Sequence, residues 1–142
     1  MSKLNVEQIK EIIPHRHEML LINEVEIVSD TVAKGKVILD ESCWFFKGHF
    51  PDNPVMPGVL QVEAAAQIGA TALLSKEENR GKTGYFTGID KVKFRKMMLP
   101  GDELHITVTF IKMKMGIGKG EVEAVNKNGD RVFNALITFT VM

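Results

Sequence analysis

The chain of 142 residues has one cysteine, one tryptophan and one tyrosine, and its 18 basic side chains are matched by 18 acidic ones. A lone thiol, Cys43, excludes an intrachain disulfide framework and any zinc site built from several cysteines, and it is compatible with a reducing compartment. A formal net charge of zero gives the whole molecule no attraction to nucleic acid or to an anionic membrane, so an acidic partner must meet a local patch. Uninterrupted apolar runs are also missing. The best candidate span, residues 55–75, is broken by Pro57, Gln61, Glu63 and Gln67 and reads as a buried helix rather than a membrane anchor. The N-terminal MSKLNVEQIKEII lacks the apolar core and small-residue cleavage site of a secretory signal, so a cytoplasmic protein is expected.

With 44% hydrophobic residues the chain can bury one core, and residues 1–142 are expected to form one domain. Asn5 with Gln8 three positions on predicts a capping box, followed by an apolar face of Val6, Ile9, Ile12 and Ile13 that Pro14 ends. Residues 19–28 and 31–39 predict two strands turning at Ser29-Asp30. A long helix is expected from Pro57-Gly58 to about residue 78, with proline at its first position and Asn79-Arg80-Gly81 as its stop. Strands follow at 84–95, 103–115, 120–126 and 131–141, separated by the turn signals Pro100-Gly101-Asp102 and Asn128-Gly129-Asp130. In the second of these, Leu104, Ile106, Val108 and Phe110 alternate with polar neighbours, giving one buried face. About six antiparallel strands and one helix leave an α+β arrangement in which the sheet wraps around the helix. Ala64, Ala65, Ala66, Gly69, Ala70 and Ala72 allow close approach, and a helix apolar all round implies that a second subunit covers part of it.

Glu63 is the only charge between Asp52 and Lys76. An ionised carboxylate there loses hydration, which favours its protonated form and makes it a candidate proton donor. A hydrogen bond to Gln67 one turn later is the competing structural reading. His49 lies in GHFPDNPVMPG, where Pro51, Pro54 and Pro57 reduce the freedom of the loop, and imidazole exchanges protons near neutrality. The amides of Gly58 and Val59 at the helix start have no intrahelical acceptor and can meet a developing oxyanion, unless Asn53 or water caps them. These three elements describe proton abstraction beside a thioester or similar carbonyl and loss of a protonated leaving group, with no metal required. His15 and His17 in PHRHE form a weak metal pattern and fit a turn-and-packing role better. His105 is expected to be solvated and Cys43 to be a small inert residue. Lys91, Lys93 and Arg95 alternate along one strand, with Lys96 next, and read equally as a solvated face or a docking patch for an acidic carrier.

The segment FKGHFPDNPVMPGVLQVEAAAQIGA at 46–70 resembles the active-site signature of the β-hydroxyacyl-acyl-carrier-protein dehydratases of bacterial type II fatty-acid synthesis. IIPHRHEMLLINEV at 12–25 and DKVKFRKMMLPGDEL at 90–104 resemble two further motifs of that family, in the same order. His17, Glu18, Asn23 and Met97 depart from it. The resemblance implies a hotdog fold, a homodimer whose sites combine the histidine of one subunit with the acid of the other, and often a trimer of dimers. It places the catalytic pair on His49 and Glu63 and the thioester-binding N–H on Gly58.

The implied reaction is dehydration of a (3R)-hydroxyacyl chain to a trans-2-enoyl chain on acyl carrier protein, with the phosphopantetheine arm as tether and no other cofactor. Phe50, Met56, Val59 and Phe86 are acyl-pocket candidates. Nucleic acid and membrane are not expected partners. Acyl-thioester hydrolysis and non-catalytic acyl-thioester binding are the alternatives.

Overall fold

In the computed structural model, which describes residues 2–142, seven strands form one antiparallel sheet around a long helix. Strand β1 (Ser2–Leu4) leads into helix α1 (Val6–Lys10), followed by β2 (Glu24–Ile27), β3 (Val32–Ile38) and helix α2 (Gly58–Leu74). Strands β4 (Gly84–Phe94), β5 (Glu103–Lys114), β6 (Ile117–Asn126) and β7 (Arg131–Val141) complete the chain. The sheet order is β1-β2-β3-β5-β6-β7-β4, so β1 and β4 are its edges. This is the hotdog arrangement.

Local chemistry explains most of the elements. The Asn5 side chain accepts from the Gln8 N–H and the Gln8 side chain accepts from the Asn5 N–H, both at 2.9 Å, which is the expected capping box. Helix α1 stops at Lys10, short of Pro14, yet Ile9 and Ile13 both reach the core. Ser29 turns the β2–β3 hairpin, its hydroxyl accepting from the N–H groups of Thr31 and Val32. Leu104, Ile106, Val108 and Phe110 of β5 are buried, as their alternation requires.

Several boundaries differ from expectation, β6 among them, which begins at Ile117 rather than at 120. Residues 19–23 are not strand, because a 3-10 turn at His17–Met19 precedes β2. Strand β1, unforeseen, pairs Ser2–Leu4 with β2. Helix α2 is shorter than expected, at 17 residues or about 25 Å. Lys76 turns to extended geometry, and the Asn79 side chain donates to the Leu73 carbonyl, satisfying a helix-end acceptor locally.

Most of α2 is buried, and small residues let the sheet close on it. A Cβ at Gly69 would sit 2.9 Å from the Phe139 ring, and one at Gly35 on β3 would overlap Ile68. The exposed exception is the helix start, where Val59 is 76% accessible. Among the described residues, no helix is long and apolar enough to cross a membrane.

Candidate active site

Two segments converge at the start of α2. The loop from His49 to Val55 is closed on itself by reciprocal backbone bonds between Phe50 and Asn53 and by the Val55 N–H donating to the His49 carbonyl at 2.8 Å. Prolines and these bonds together hold it. His49 Nδ1 lies 2.8 Å from the Val55 carbonyl oxygen. A carbonyl oxygen only accepts, so Nδ1 carries the hydrogen and Nε2 presents its lone pair outward. The His49 ring stacks on Phe50 with centroids 4.2 Å apart.

Pro57 is the residue before the helix rather than its first position: its ring sets φ at −57°, while ψ of 135° keeps it extended. Its carbonyl accepts from Leu60 and Gln61, and no side chain caps the helix. Asn53 bonds to Phe50 through its backbone, and its side chain does not reach the helix start as a cap. The amides of Gly58 and Val59 therefore have no acceptor among the described residues. Glycine at 58 also leaves room for Phe94, since a Cβ there would lie 2.8 Å from the tip of that ring, which would have to shift.

Glu63 stands on the same helix face as Val59, one turn on. Its side chain is 23% exposed, and its Oε2 accepts from Gln67 Nε2 at 2.9 Å, the partner one turn later that the spacing allowed. His15 Nε2 faces the same oxygen at 3.6 Å, too long for a hydrogen bond. Burial pushes His15 below the ordinary histidine range, with Glu63 opposing and Arg16 reinforcing the shift. Nδ1 of His15 is buried without a partner, so a proton placed there finds no acceptor. The sequence assigned His15 a turn-and-packing role. Its separation from Glu63 along the chain leaves no local signal of this contact. No hydrogen bond or ion pair joins His49 to Glu63 within the chain, among the described residues.

A FabA-like domain matches residues 13–136. The chain belongs to the FabA-like dehydratase family. It is 54% identical over 123 residues to the 3-hydroxyacyl-(acyl-carrier-protein) dehydratase FabZ of Clostridium perfringens, covering 85% of this chain and 87% of that protein. The enzyme of the same name from Bacillus licheniformis is 48% identical over 139 residues, or 97% of this chain and 96% of that one. Among solved structures, the dehydratase heterocomplex ApeI:P from Xenorhabdus doucetiae superposes with a TM-score of 0.80 at 18% identity, over 93% of this chain and 89% of that one. A mutant thioesterase from Pseudomonas aeruginosa gives 0.72 at 16%, over 98% and 94%. These two likenesses establish the fold alone.

The remaining candidates occupy separate places in this FabA-like chain. Phe50 and Val59 are exposed near the helix start, Met56 is buried with its N–H on the Met98 carbonyl, and Phe86 stacks on Phe139 beneath the sheet. The alternation expected at Lys91, Lys93 and Arg95 is interrupted by a bulge between Asp90 and Lys93, in which Lys91 has a φ of 51°. Lys96 pairs with Asp130 at 3.0 Å and Arg95 donates to Asn134, leaving Lys91 and Lys93 without acidic partners among the described residues. A groove of about 960 Å³ lies across the sheet and is lined by Lys91 and Arg95 but by neither His49 nor Glu63. His105 pairs with Glu103 at 3.1 Å. Cys43 is half-buried, and burial first, then Asp40, pushes its thiol up and away from reactivity. No cluster of three or more metal-ligating side chains is present among the described residues.

Proposed function

We propose that this chain is a hydro-lyase of fatty-acid elongation that dehydrates (3R)-hydroxyacyl chains on acyl carrier protein, with His49 as base, Glu63 as acid and Gly58 N–H as oxyanion donor. The observation that carries the reading is the pair of free amides at Gly58 and Val59, one turn below the only charge of α2. His49 Nε2 takes the proton beside the thioester carbonyl, and the charge that moves to the carbonyl oxygen is met by the Gly58 N–H. Glu63 then protonates the departing β-hydroxyl, giving water and a trans-2-enoyl thioester. The protons left on His49 and missing from Glu63 are exchanged with solvent. The acyl chain arrives on the phosphopantetheine arm and no other cofactor is used.

The reading includes a homodimer. His49 and Glu63 turn to different partners within one chain, and β4 is an edge strand of 11 residues exposing Tyr85, Ile89 and Phe94. A long apolar edge of this kind needs a partner strand. Pairing β4 with its copy supports a site shared between subunits, and three such dimers can assemble further. Residues 1–142 then act as one dehydratase domain in the cytoplasm, with Phe50, Met56, Val59 and Phe86 near the acyl chain and Lys91, Lys93, Arg95 and Lys96 toward the carrier.

Single-turnover dehydration of a β-hydroxyacyl carrier thioester tests this. His49→Ala and Glu63→Gln proteins that remain folded and oligomeric are expected to lose at least about a hundredfold in rate. Wild-type rates in both remove the mechanism. Release of free thiol in place of conjugated-enoyl absorbance assigns hydrolysis instead.

A further inference from the structure

We propose that Gln61 is a positioning residue for the oxyanion donor: it holds the peptide planes on both sides of Pro57 and so fixes where the Gly58 N–H points. The inference rests on the dehydratase reading, in which that N–H meets the thioester oxygen.

Successive peptide planes lead from the base to the start of α2, and each is gripped at one edge. In the first, the Met56 N–H donates to the Met98 carbonyl at 2.8 Å, and the Val55 carbonyl on the opposite edge faces His49 Nδ1. In the second, the Met56 carbonyl accepts from Gln61 Nε2 at 3.3 Å. In the third, the Pro57 carbonyl accepts from the backbone N–H groups of Leu60 and Gln61 at 3.1 and 3.2 Å. The N–H of Gly58 belongs to that third plane. In a trans peptide it points opposite to the carbonyl, so whatever fixes the Pro57 oxygen fixes the direction of the Gly58 N–H.

The second and third planes are joined through the α-carbon of Pro57. The proline ring sets φ there at −57°, which leaves ψ, at 135°, as the torsion able to turn one plane against the other. Gln61 closes that freedom by holding a carbonyl on each side, one through its side chain and one through its backbone. No other side chain bonds to the Met56 carbonyl or caps the helix, among the described residues. Base and oxyanion donor of one subunit are thereby tied into a single strap.

The amide is held at a cost. Gln61 is 3% exposed. A carbonyl oxygen only accepts, so the amino end of the side chain faces Met56 and its own oxygen, Oε1, is turned away. There Oε1 is buried and meets no donor among the described residues. An unpaired buried acceptor lowers stability, whereas an apolar side chain of similar length does not. Packing alone therefore favours an apolar residue at 61, and aiming the Gly58 N–H is the gain that offsets the amide.

The test uses Gln61→Met and Gln61→Leu in the full oligomeric enzyme. The probe is a saturated hexanoyl-pantetheine thioester carrying ¹³C at its carbonyl, which has no β-hydroxyl to lose and stays intact when bound. Infrared difference spectra report how strongly the enzyme polarises that carbonyl. The wild-type protein is expected to move the stretch to lower wavenumber than in water, and both variants should lose about half of that shift or more. Their kcat for dehydration should fall about tenfold, with KM changed less than about threefold. Their urea midpoints should be no lower than that of the wild type. Variants that keep the full carbonyl shift and wild-type kcat overturn the positioning role. So do variants that keep the shift and lose only stability, and so does failure of both to fold, since either result makes the amide a packing element. A wild-type protein that leaves the carbonyl stretch at its value in water overturns the Gly58 oxyanion donor itself, so the two failures are distinguishable.

Discussion

Gly35 and Ile68 meet with no room between them: a Cβ at Gly35 would overlap the Ile68 side chain and come within 3.1 Å of the Glu24 carbonyl oxygen. Strand β3 and helix α2 are therefore in direct contact, and the depth at which the helix sits, with Glu63 on it, depends on a missing side chain. Gly35→Ala is expected to destabilise the protein by about 1–3 kcal/mol through overpacking. Gly48, with nothing within 4 Å of a built Cβ, is the comparison, and its replacement by alanine should stay within about 0.5 kcal/mol. Urea unfolding of the two variants checks the difference, and equal midpoints would discard the close contact.

His15 makes stability depend on pH. Its folded-state affinity for a proton is lowered from the ordinary 6.5, chiefly by burial. As pH falls through that value the unfolded chain binds a proton that the folded chain refuses, so stability present above it is lost. His15→Gln should flatten the change in urea midpoint between pH 7.5 and pH 5.5. A slope identical to wild type would show that the ring is not held neutral by the fold.

A shared site predicts complementation. Mixing His49→Ala and Glu63→Gln subunits after reversible dissociation puts one intact pair in each mixed dimer. Random exchange should restore about a quarter of wild-type activity, since half the dimers are mixed and each has one working site. Continued inactivity in mixtures shown by mass spectrometry to contain mixed dimers would place both groups within one chain.

Carrier docking separates by substrate. Lys91→Glu with Arg95→Glu should raise KM for carrier-linked substrates severalfold while leaving short thioester mimics within about twofold, because charge complementarity acts only where an acidic carrier is present. Equal effects on both substrates would assign these residues to a solvated sheet face.

Much of this molecule follows from short-range pattern. The capping box at Asn5, the alternation through β5 and the charge-poor run around Glu63 each depend on residues within a turn or two of one another, where spacing and geometry are the same information. The type of each principal element was readable for that reason, as were the candidacies of His49, Glu63 and Gly58. Element ends were less so: α2 stops at Leu74 because Asn79 folds back onto Leu73, a contact that composition does not encode.

What only the tertiary structure decided is which groups face one another. The hydrogen on His49 Nδ1 follows from the Val55 carbonyl and leaves the lone pair on Nε2, and the amide of Gln67 is turned by Leu21 and Met19 from far up the chain. His15 reaches Glu63 only because the segment after α1 packs against α2. Sequence alone determined that a lone acid in an apolar helix, a stiffened histidine loop and a glycine at the helix start would coexist, since each is a local fact of residue type and spacing. Which oxygen of the acid is held and which is free is a property of contacts between segments distant in sequence, and it came into being only when the sheet closed around the helix.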